Sequence, residues 1–236
     1  MKTFEAFGLT HANAVVVALL AWAWVLWRSR GLQGEPEVRF RRRLAIFVIA
    51  TNLSIQIYRL LPSIWNVDAS LPLHLCDFAW MAAIWALWTR QRLPQALVYF
   101  WGFGLSWQAF LTPTLDDGPA HPYFWAFWCL HWQIVATALL VVLRYQFRPD
   151  WRDFARTVGV TAFLFFGVLG LNLWLDTPYF FNAPGNSVDG TPIALLGDWP
   201  LRLLWLAVIV IGLFALMTLP WRFLARRARV AESRTP

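Results

Sequence analysis

The chain has few residues that ionise near neutral pH, and each shortage excludes a class of protein. Of its 236 residues only 14% are charged, 4 are histidine and 2 are cysteine. The only lysine is Lys2, so no lysine is available in an apolar segment to form the Schiff base of a retinal protein. The sequence has no His-Glu-x-x-His pair, which leaves a zinc hydrolase of that type without support. It also has no heptads, internal repeats or low-complexity tracts.

Apolar residues are abundant instead. Hydrophobic residues make up 59% of the chain, and 17 residues are tryptophan, which is enriched where helices meet a membrane surface. Seven apolar segments are about as long as a helix that crosses a hydrocarbon layer of roughly 30 Å. They lie at 11–27, 44–61, 72–88, 94–111, 122–143, 155–174 and 200–220. The sequence therefore predicts an all-α, polytopic membrane bundle of about seven transmembrane helices, formed as a single domain over 1–236.

Basic residues are missing from every second connection between these segments. The loops at 62–71, 112–121 and 175–198 contain no Lys or Arg, whereas 17 of the 20 basic residues lie in the other loops and the tail. Because cytoplasmic loops carry the excess of Lys and Arg, we expect an external N-terminus and a basic cytoplasmic tail at 221–236. We expect no cleaved signal peptide, since the basic cluster follows the first apolar segment. The excess of Arg over Lys is typical of a GC-rich bacterial genome.

Polar residues inside the segments gather in the half nearer the predicted external side. They are Asn52, Gln56, Arg59, His74, Cys76, Asp77, Gln108, Cys129, His131, Gln133 and Asn172. Polar side chains are costly in lipid, and scattered interhelical hydrogen bonds would not need a common depth. At 1.5 Å per residue, Cys76 lies about 6 Å below Pro72, and His131 about 14 Å below Pro122. The pattern predicts a polar pocket in the outer half of the bundle.

The residue types in this pocket fit a thiol enzyme. Such an enzyme needs a cysteine, a base that forms the thiolate, and a neighbouring cation or hydrogen-bond donor. Cys76, His131 and either Arg59 or His74 meet that requirement. Cysteine is also common as a small buried hydrophobe, and Cys129 stands two positions from His131, on a different helix face. A disulfide between the two cysteines is a further possibility at an oxidising face.

Structural explanations exist for the other polar residues as well. Arg59 and Asp77 could form a buried ion pair, and His74 and Asp77, three residues apart, could share a helix face. The remaining candidates for interhelical hydrogen bonds are Asn52, Gln108, His131 and Asn172. The Pro- and Gly-rich connection at 175–198 is either a cap over the pocket or a solvated linker.

The run Leu71-Pro72-Leu73-His74-Leu75-Cys76 resembles the LPLHLC signature of the YwaF-type integral membrane family, which includes the animal transmembrane protein 164. The similarity spans about 50–220. It continues at Tyr99-Phe100-Trp101-Gly102, Gln108-Ala109-Phe110-Leu111-Thr112-Pro113, His131, Gly170-Leu171-Asn172 and Leu195-Leu196-Gly197-Asp198-Trp199-Pro200. Three family patterns differ here: a Ser-His reads Leu130-His131, a Lys-Pro reads Ala183-Pro184, and a Gly-Pro-Trp-Pro reads Gly197-Asp198-Trp199-Pro200.

The resemblance implies a compact multi-helix membrane fold and an enzyme that transfers fatty acyl chains to ether phospholipids. The family's signature cysteine and a histidine in a later helix match Cys76 and His131. We therefore expect a multi-pass enzyme of the inner (plasma) membrane that transfers acyl groups on phospholipid in the outer leaflet. Its expected partners are membrane lipids and an acyl-bearing phospholipid substrate. We expect no nucleic-acid partner, metal or other cofactor.

In this interpretation Cys76 is the nucleophile and His131 the general base. The candidates for binding substrate or an oxyanion are Arg59, His74, Asp77, Gln108 and Asn172, and of these Arg59 suits a phosphate group. Two alternatives use the same residues. One is a non-enzymatic binding or carrier protein for a lipid or small solute, and the other is a structural or assembly factor with an inert polar core.

Overall fold

The computed structural model describes residues 4–184 and 192–232, and over these residues the chain is helical and without strands. The α-helices of this part are Leu9–Arg28 (α1), Gly34–Arg59 (α2), Val67–Ser70 (α3), Leu75–Thr89 (α4), Arg92–Trp101 (α5), Pro122–Leu143 (α6), Trp151–Leu175 (α7) and Leu201–Glu232 (α8). After α5 the chain continues through a π-helical segment, Gly102–Ser106, and a 3₁₀ turn, Trp107–Phe110. Shorter 3₁₀ turns lie at Tyr179–Phe181 and Pro192–Leu196. The predicted all-α class is confirmed.

Five helical stretches in the described part are long and apolar enough to cross a membrane. They are Leu9–Arg28, Val67–Thr89, Pro122–Leu143, Trp151–Leu175 and Leu201–Phe223. This supports a multi-pass membrane protein. The predicted segments 44–61 and 94–111 are not among the five. The first belongs to α2, whose initial turns are charged, and the second is divided between α5 and the π and 3₁₀ segments. Seven crossings therefore stay a prediction.

The predicted and observed helix boundaries agree best where the sequence carries a clear signal for the start of a helix. The segment predicted at 122–143 matches α6, which has Pro122 in its first turn. Helix α2 starts earlier than predicted because Glu35 pairs with Arg39 at 2.6 Å and Glu37 with Arg41 at 2.7 Å, which stabilises its polar first turns. Helix α8 continues to Glu232, so much of the predicted tail is helical, and residues 233–236 lie outside the described part.

Small residues bring the central helices close together. Helix α4 buries Ala79, Ala82, Ala83 and Ala86, which pack with residues of α5 and α6 in a cluster that we call the alanine-rich core. On the facing segment, a Cβ added to Gly102 would lie only 2.9 Å from the Cβ of Ala138 in α6. Small side chains at such contacts allow the backbones of membrane helices to approach closely. The core therefore fixes α4 relative to α6, the two helices that carry Cys76 and His131.

An ion cluster joins α5 to α7 at the end of the bundle where the basic loops lie. Arg92 donates to both carboxylate oxygens of Asp153, from Nε at 2.9 Å and from a terminal nitrogen at 2.6 Å. Its terminal nitrogen also lies 3.2 Å from the carboxylate of Asp150. Asp150 caps α7 by accepting the N–H groups of Arg152 and Asp153. Bidentate Arg–carboxylate geometry is the stronger form of such a pair, so this cluster holds α7 against α5.

Candidate functional site

The signature run ends in the first turn of α4. His74 is the N-cap residue, and Cys76 and Asp77 are the second and third residues of the helix. The N–H groups at the start of a helix have no intrahelical acceptors and carry partial positive charge. The N–H of Asp77 already donates to His74 O at 2.9 Å, which leaves those of Leu75 and Cys76 without a backbone acceptor in the described part. This position is suited to bind an oxygen that carries negative charge beside the thiol.

Arg59 brings a positive charge to the same turn. Its charge acts on His74, Cys76 and Asp77, while its guanidinium carbon lies 5.5 Å from the ring centroid of Tyr123. Within the described part, no nitrogen of Arg59 lies within 4.0 Å of the Asp77 carboxylate, so the possible ion pair between them is not formed. Asp77 instead accepts the backbone N–H of His74 at 2.9 Å. His74 and Asp77 therefore do meet, through the backbone rather than the imidazole.

His131 is held in one tautomer by its own helix. Its Nδ1 lies 2.8 Å from the carbonyl oxygen of Phe127, one turn earlier in α6. A carbonyl can only accept, so Nδ1 carries the proton, and Nε2 of the neutral ring keeps its lone pair. No residue in the described part forms a hydrogen bond with Nε2. His131 therefore has an oriented ring with a free acceptor, as a general base requires.

Cys76 and His131 lie toward the same end of two helices that pack in one core, α4 and α6. Leu87 of α4 and Leu140 of α6 belong to one hydrophobic cluster, which aligns the two helices. Cys76 and His131 precede these leucines by eleven and nine residues, so both lie toward the same end of the bundle. Both side chains are partly buried. No hydrogen bond joins them among the described residues.

The second cysteine belongs to a different polar group, between α2 and α6. Asn52 donates to the side-chain oxygen of Gln133 at 2.7 Å, and Gln133 donates to Thr51 at 2.5 Å and to the sulfur of Cys129 at 3.2 Å. Cys129 is thus a hydrogen-bonded packing residue, as its position two residues from His131 predicted. Cys76 and Cys129 are both free thiols, so the possible disulfide is not formed.

Two of the candidate oxyanion donors are Asn172, whose amide is engaged elsewhere, and Gln108, which lies at the surface. The amide of Asn172 donates to Tyr179 O and to the side chain of Asn182, both at 2.7 Å, and its oxygen accepts from Thr177 at 2.9 Å. Asn172 therefore organises the turn after α7 and has no spare donor. Gln108 is exposed on the 3₁₀ turn that follows the π-helical segment. In the described part, no three or more His, Cys, Asp or Glu are grouped to hold a metal ion.

Tyr179 is a residue of this region that the sequence did not single out. Its side chain is fully buried, and its hydroxyl accepts the N–H of Leu71 at 2.8 Å and donates to Val67 O at 2.5 Å. Its ring lies 5.1 Å from that of His74. Residues 176–184 of the connection after α7 therefore pack on the signature run as a cap, while 185–191 lie outside the described residues. The sequence feature that could have indicated this role is the run of three aromatic residues, Tyr179–Phe181, in a Pro- and Gly-rich loop.

Comparison with known proteins identifies the family of this chain. The model of the TMEM164 family matches residues 6–218, which covers nearly all of the helical bundle. No match was found among curated proteins or among solved structures. The match confirms the likeness to transmembrane protein 164 that the LPLHLC run indicates; the YwaF-type assignment and the acyl-transfer chemistry stay predictions. With most of its length matched, this multi-pass membrane protein belongs to the TMEM164 family.

Proposed function

We propose that the protein is a thiol-dependent acyltransferase that acts on phospholipids, with Cys76 as nucleophile and His131 as general base. The main support is the free Nε2 of His131, on a ring oriented by Phe127. In nucleophilic catalysis the base is often a histidine, and a third group holds the ring nitrogen that does not take the proton. A bound acyl ester would have to contact both side chains, each of which is partly exposed.

The proposed reaction conserves protons and needs no co-reactant. His131 takes the proton of the Cys76 thiol, and the sulfur attacks the acyl carbonyl of a donor phospholipid. The carbon–oxygen ester bond breaks, the leaving alkoxide takes the proton back from His131, and a lysophospholipid departs from the thioester. The hydroxyl of an acceptor lipid then loses its proton to His131 and attacks the thioester. The new carbon–oxygen ester bond forms as the carbon–sulfur bond breaks, and the leaving thiolate takes the proton from His131 to regenerate the thiol.

Two groups support the charge that develops in this reaction. The N–H groups in the first turn of α4 are suited to stabilise the oxyanion of the tetrahedral intermediate, since Asn172 has no spare donor and Gln108 is exposed. Arg59 has no carboxylate partner in the described part and is suited to bind the lipid phosphate. His74 and Asp77 then act mainly by fixing the start of α4 through their capping interaction.

The proposal assigns the reaction to the outer leaflet of the inner (plasma) membrane, with the N-terminus external and the C-terminus cytoplasmic. The test is to incubate the purified protein in lipid vesicles with a phospholipid that carries a labelled acyl chain. We expect Cys76→Ala to abolish transfer and His131→Ala to reduce its rate about 100-fold or more, the usual contribution of a general base. Cys129→Ala is the matched control and keeps the activity.

A binding or carrier protein would give a different result. Such a protein would retain the labelled lipid in both the wild-type protein and Cys76→Ala, and would form no transferred product. Activity that persists in Cys76→Ala would also contradict the proposal, because no thioester could form. A covalent acyl adduct on Cys76, detected by mass spectrometry and reversed by hydroxylamine, is the positive result that a carrier cannot produce.

A further inference from the structure

A cavity of about 550 Å³ lies at the other end of the bundle from Cys76, where the basic loops are. It is bordered by the connection between α1 and α2, the first turns of α2, and the residues that follow α4 and α6. Its wall contains two cations, Arg90 and Arg144, together with Glu37 and Tyr145. This site shares no residue with the proposed catalytic site.

The charge of the wall is positive. Glu37 is paired with Arg41 at 2.7 Å, and both side chains are largely buried, so the one carboxylate is already neutralised. Arg90 lies over Tyr145, with its guanidinium carbon 4.5 Å from the ring centroid, and has no carboxylate partner in the described part. Arg144 likewise has no ion pair there and uses one terminal nitrogen to bind a backbone carbonyl. Two guanidinium groups therefore remain to bind an anion.

Other donors at this site lack partners. The Nε of Arg144 and the hydroxyl of Tyr145 are buried and form no hydrogen bond within the described part, although such groups are normally paired. Burial and the charge of Glu37 raise the pKa of Tyr145, so its hydroxyl stays neutral and can donate. Gly34 lines the cavity in the first turn of α2, whose N-cap residue Gln33 makes no side-chain cap. The free N–H groups of such a turn attract anions.

We propose that this cavity binds a phosphate group, held between Arg90 and Arg144 with Tyr145 and the start of α2 as further donors. Guanidinium groups match phosphate oxygens in charge and in geometry. Basic pockets between transmembrane helices are a known way for membrane proteins to bind anionic headgroups. The phosphate belongs either to the headgroup of an anionic phospholipid or to a soluble phosphate ester. The proposal does not depend on acyl transfer, because it concerns a site separate from Cys76 and His131.

The experiment measures the melting temperature of the full chain in vesicles of phosphatidylcholine, alone or with phosphatidylglycerol, and in phosphatidylcholine vesicles with added glycerol phosphate. We expect phosphatidylglycerol to stabilise the wild-type protein, and Arg90→Gln to weaken its apparent affinity about fivefold. Tyr145→Phe keeps the ring under Arg90 and removes a hydroxyl without a partner. It should therefore fold normally in phosphatidylcholine alone and still lose part of the response to phosphatidylglycerol.

The matched control is Arg30→Gln, an exposed arginine of the same connection that does not line the cavity. It removes the same charge and should keep the response. Stabilisation by phosphatidylglycerol alone identifies a lipid headgroup, and stabilisation by glycerol phosphate identifies a soluble ester. The proposal is overturned if neither compound stabilises the protein, or if Arg30→Gln weakens the response as much as Arg90→Gln does.

Discussion

The protein has two groups of polar residues, each with one cysteine, and they are built in opposite ways. Between α2 and α6, Cys129 and Gln133 belong to a hydrogen-bonded network in which amide donors and acceptors are matched. Around the start of α4, Arg59 has no carboxylate partner and Nε2 of His131 has no hydrogen bond, within the described part. A satisfied network stabilises a fold, whereas unpaired groups are available to a substrate.

The most demanding test of this contrast is the reactivity of the two thiols. If His131 activates Cys76, iodoacetamide in native membranes should modify Cys76 about 100-fold faster than Cys129, because the thiolate is the reactive form. His131→Ala should remove most of that difference. The rates are measured by mass spectrometry of the two cysteine peptides, with a denatured sample as the control in which both react alike. Equal rates in native membranes would contradict the assignment of Cys76 as nucleophile.

A second test compares two histidines that lie against phenylalanine residues. Nδ1 of His11 accepts the N–H of Phe7, and its Nε2 donates to Phe110 O, both at 2.9 Å, so both ring nitrogens are engaged. His11→Ala should therefore lower the free energy of unfolding by about 2 kcal/mol, and His131→Ala by about 1 kcal/mol or less. Denaturant unfolding in detergent checks this. Equal losses would mean that His131 is a structural residue like His11.

The smallest effect concerns Arg59 and Asp77. Because no ion pair joins them, their single substitutions by alanine should add in the double variant, with a coupling energy below about 0.5 kcal/mol. The four proteins of this double-mutant cycle are compared by unfolding under one set of conditions. A larger favourable coupling would show a direct pair and would leave Arg59 less available for a lipid phosphate.

Sequence alone predicted the helices whose ends carry local signals and missed features that depend on tertiary contacts. The boundaries at 122–143 were correct because Pro122 starts α6 and the apolar run ends at Leu143. The segment 94–111 was predicted as one helix, since hydropathy does not register the change from α to π hydrogen bonding at Gly102–Ser106. Hydropathy also gave no reason to expect the start of α2 at Gly34, where paired charges replace apolar residues.

The candidate site was predicted in part. Segment lengths put Cys76 and His131 in the same half of the bundle, about 8 Å apart in depth, and a meeting of the two side chains stays a prediction. The free Nε2 of His131 and the contact of Tyr179 with the signature run depend on which atoms meet in the folded chain. No spacing in the sequence contains that information.

The π-helical segment at Gly102–Ser106 has a geometric consequence for the residues that follow it. A π turn holds one residue more than an α turn, so it rotates everything that follows by about 100° around the helix axis. Phe110 follows the segment, and it meets α1 through its carbonyl, which binds His11, and through its ring, which lies 4.9 Å from that of Trp22. The extra residue therefore rotates the residues after the segment about the helix axis, and this rotation turns the contacts of Phe110 toward α1. An otherwise identical chain shortened by one residue in this segment would present a different face to α1.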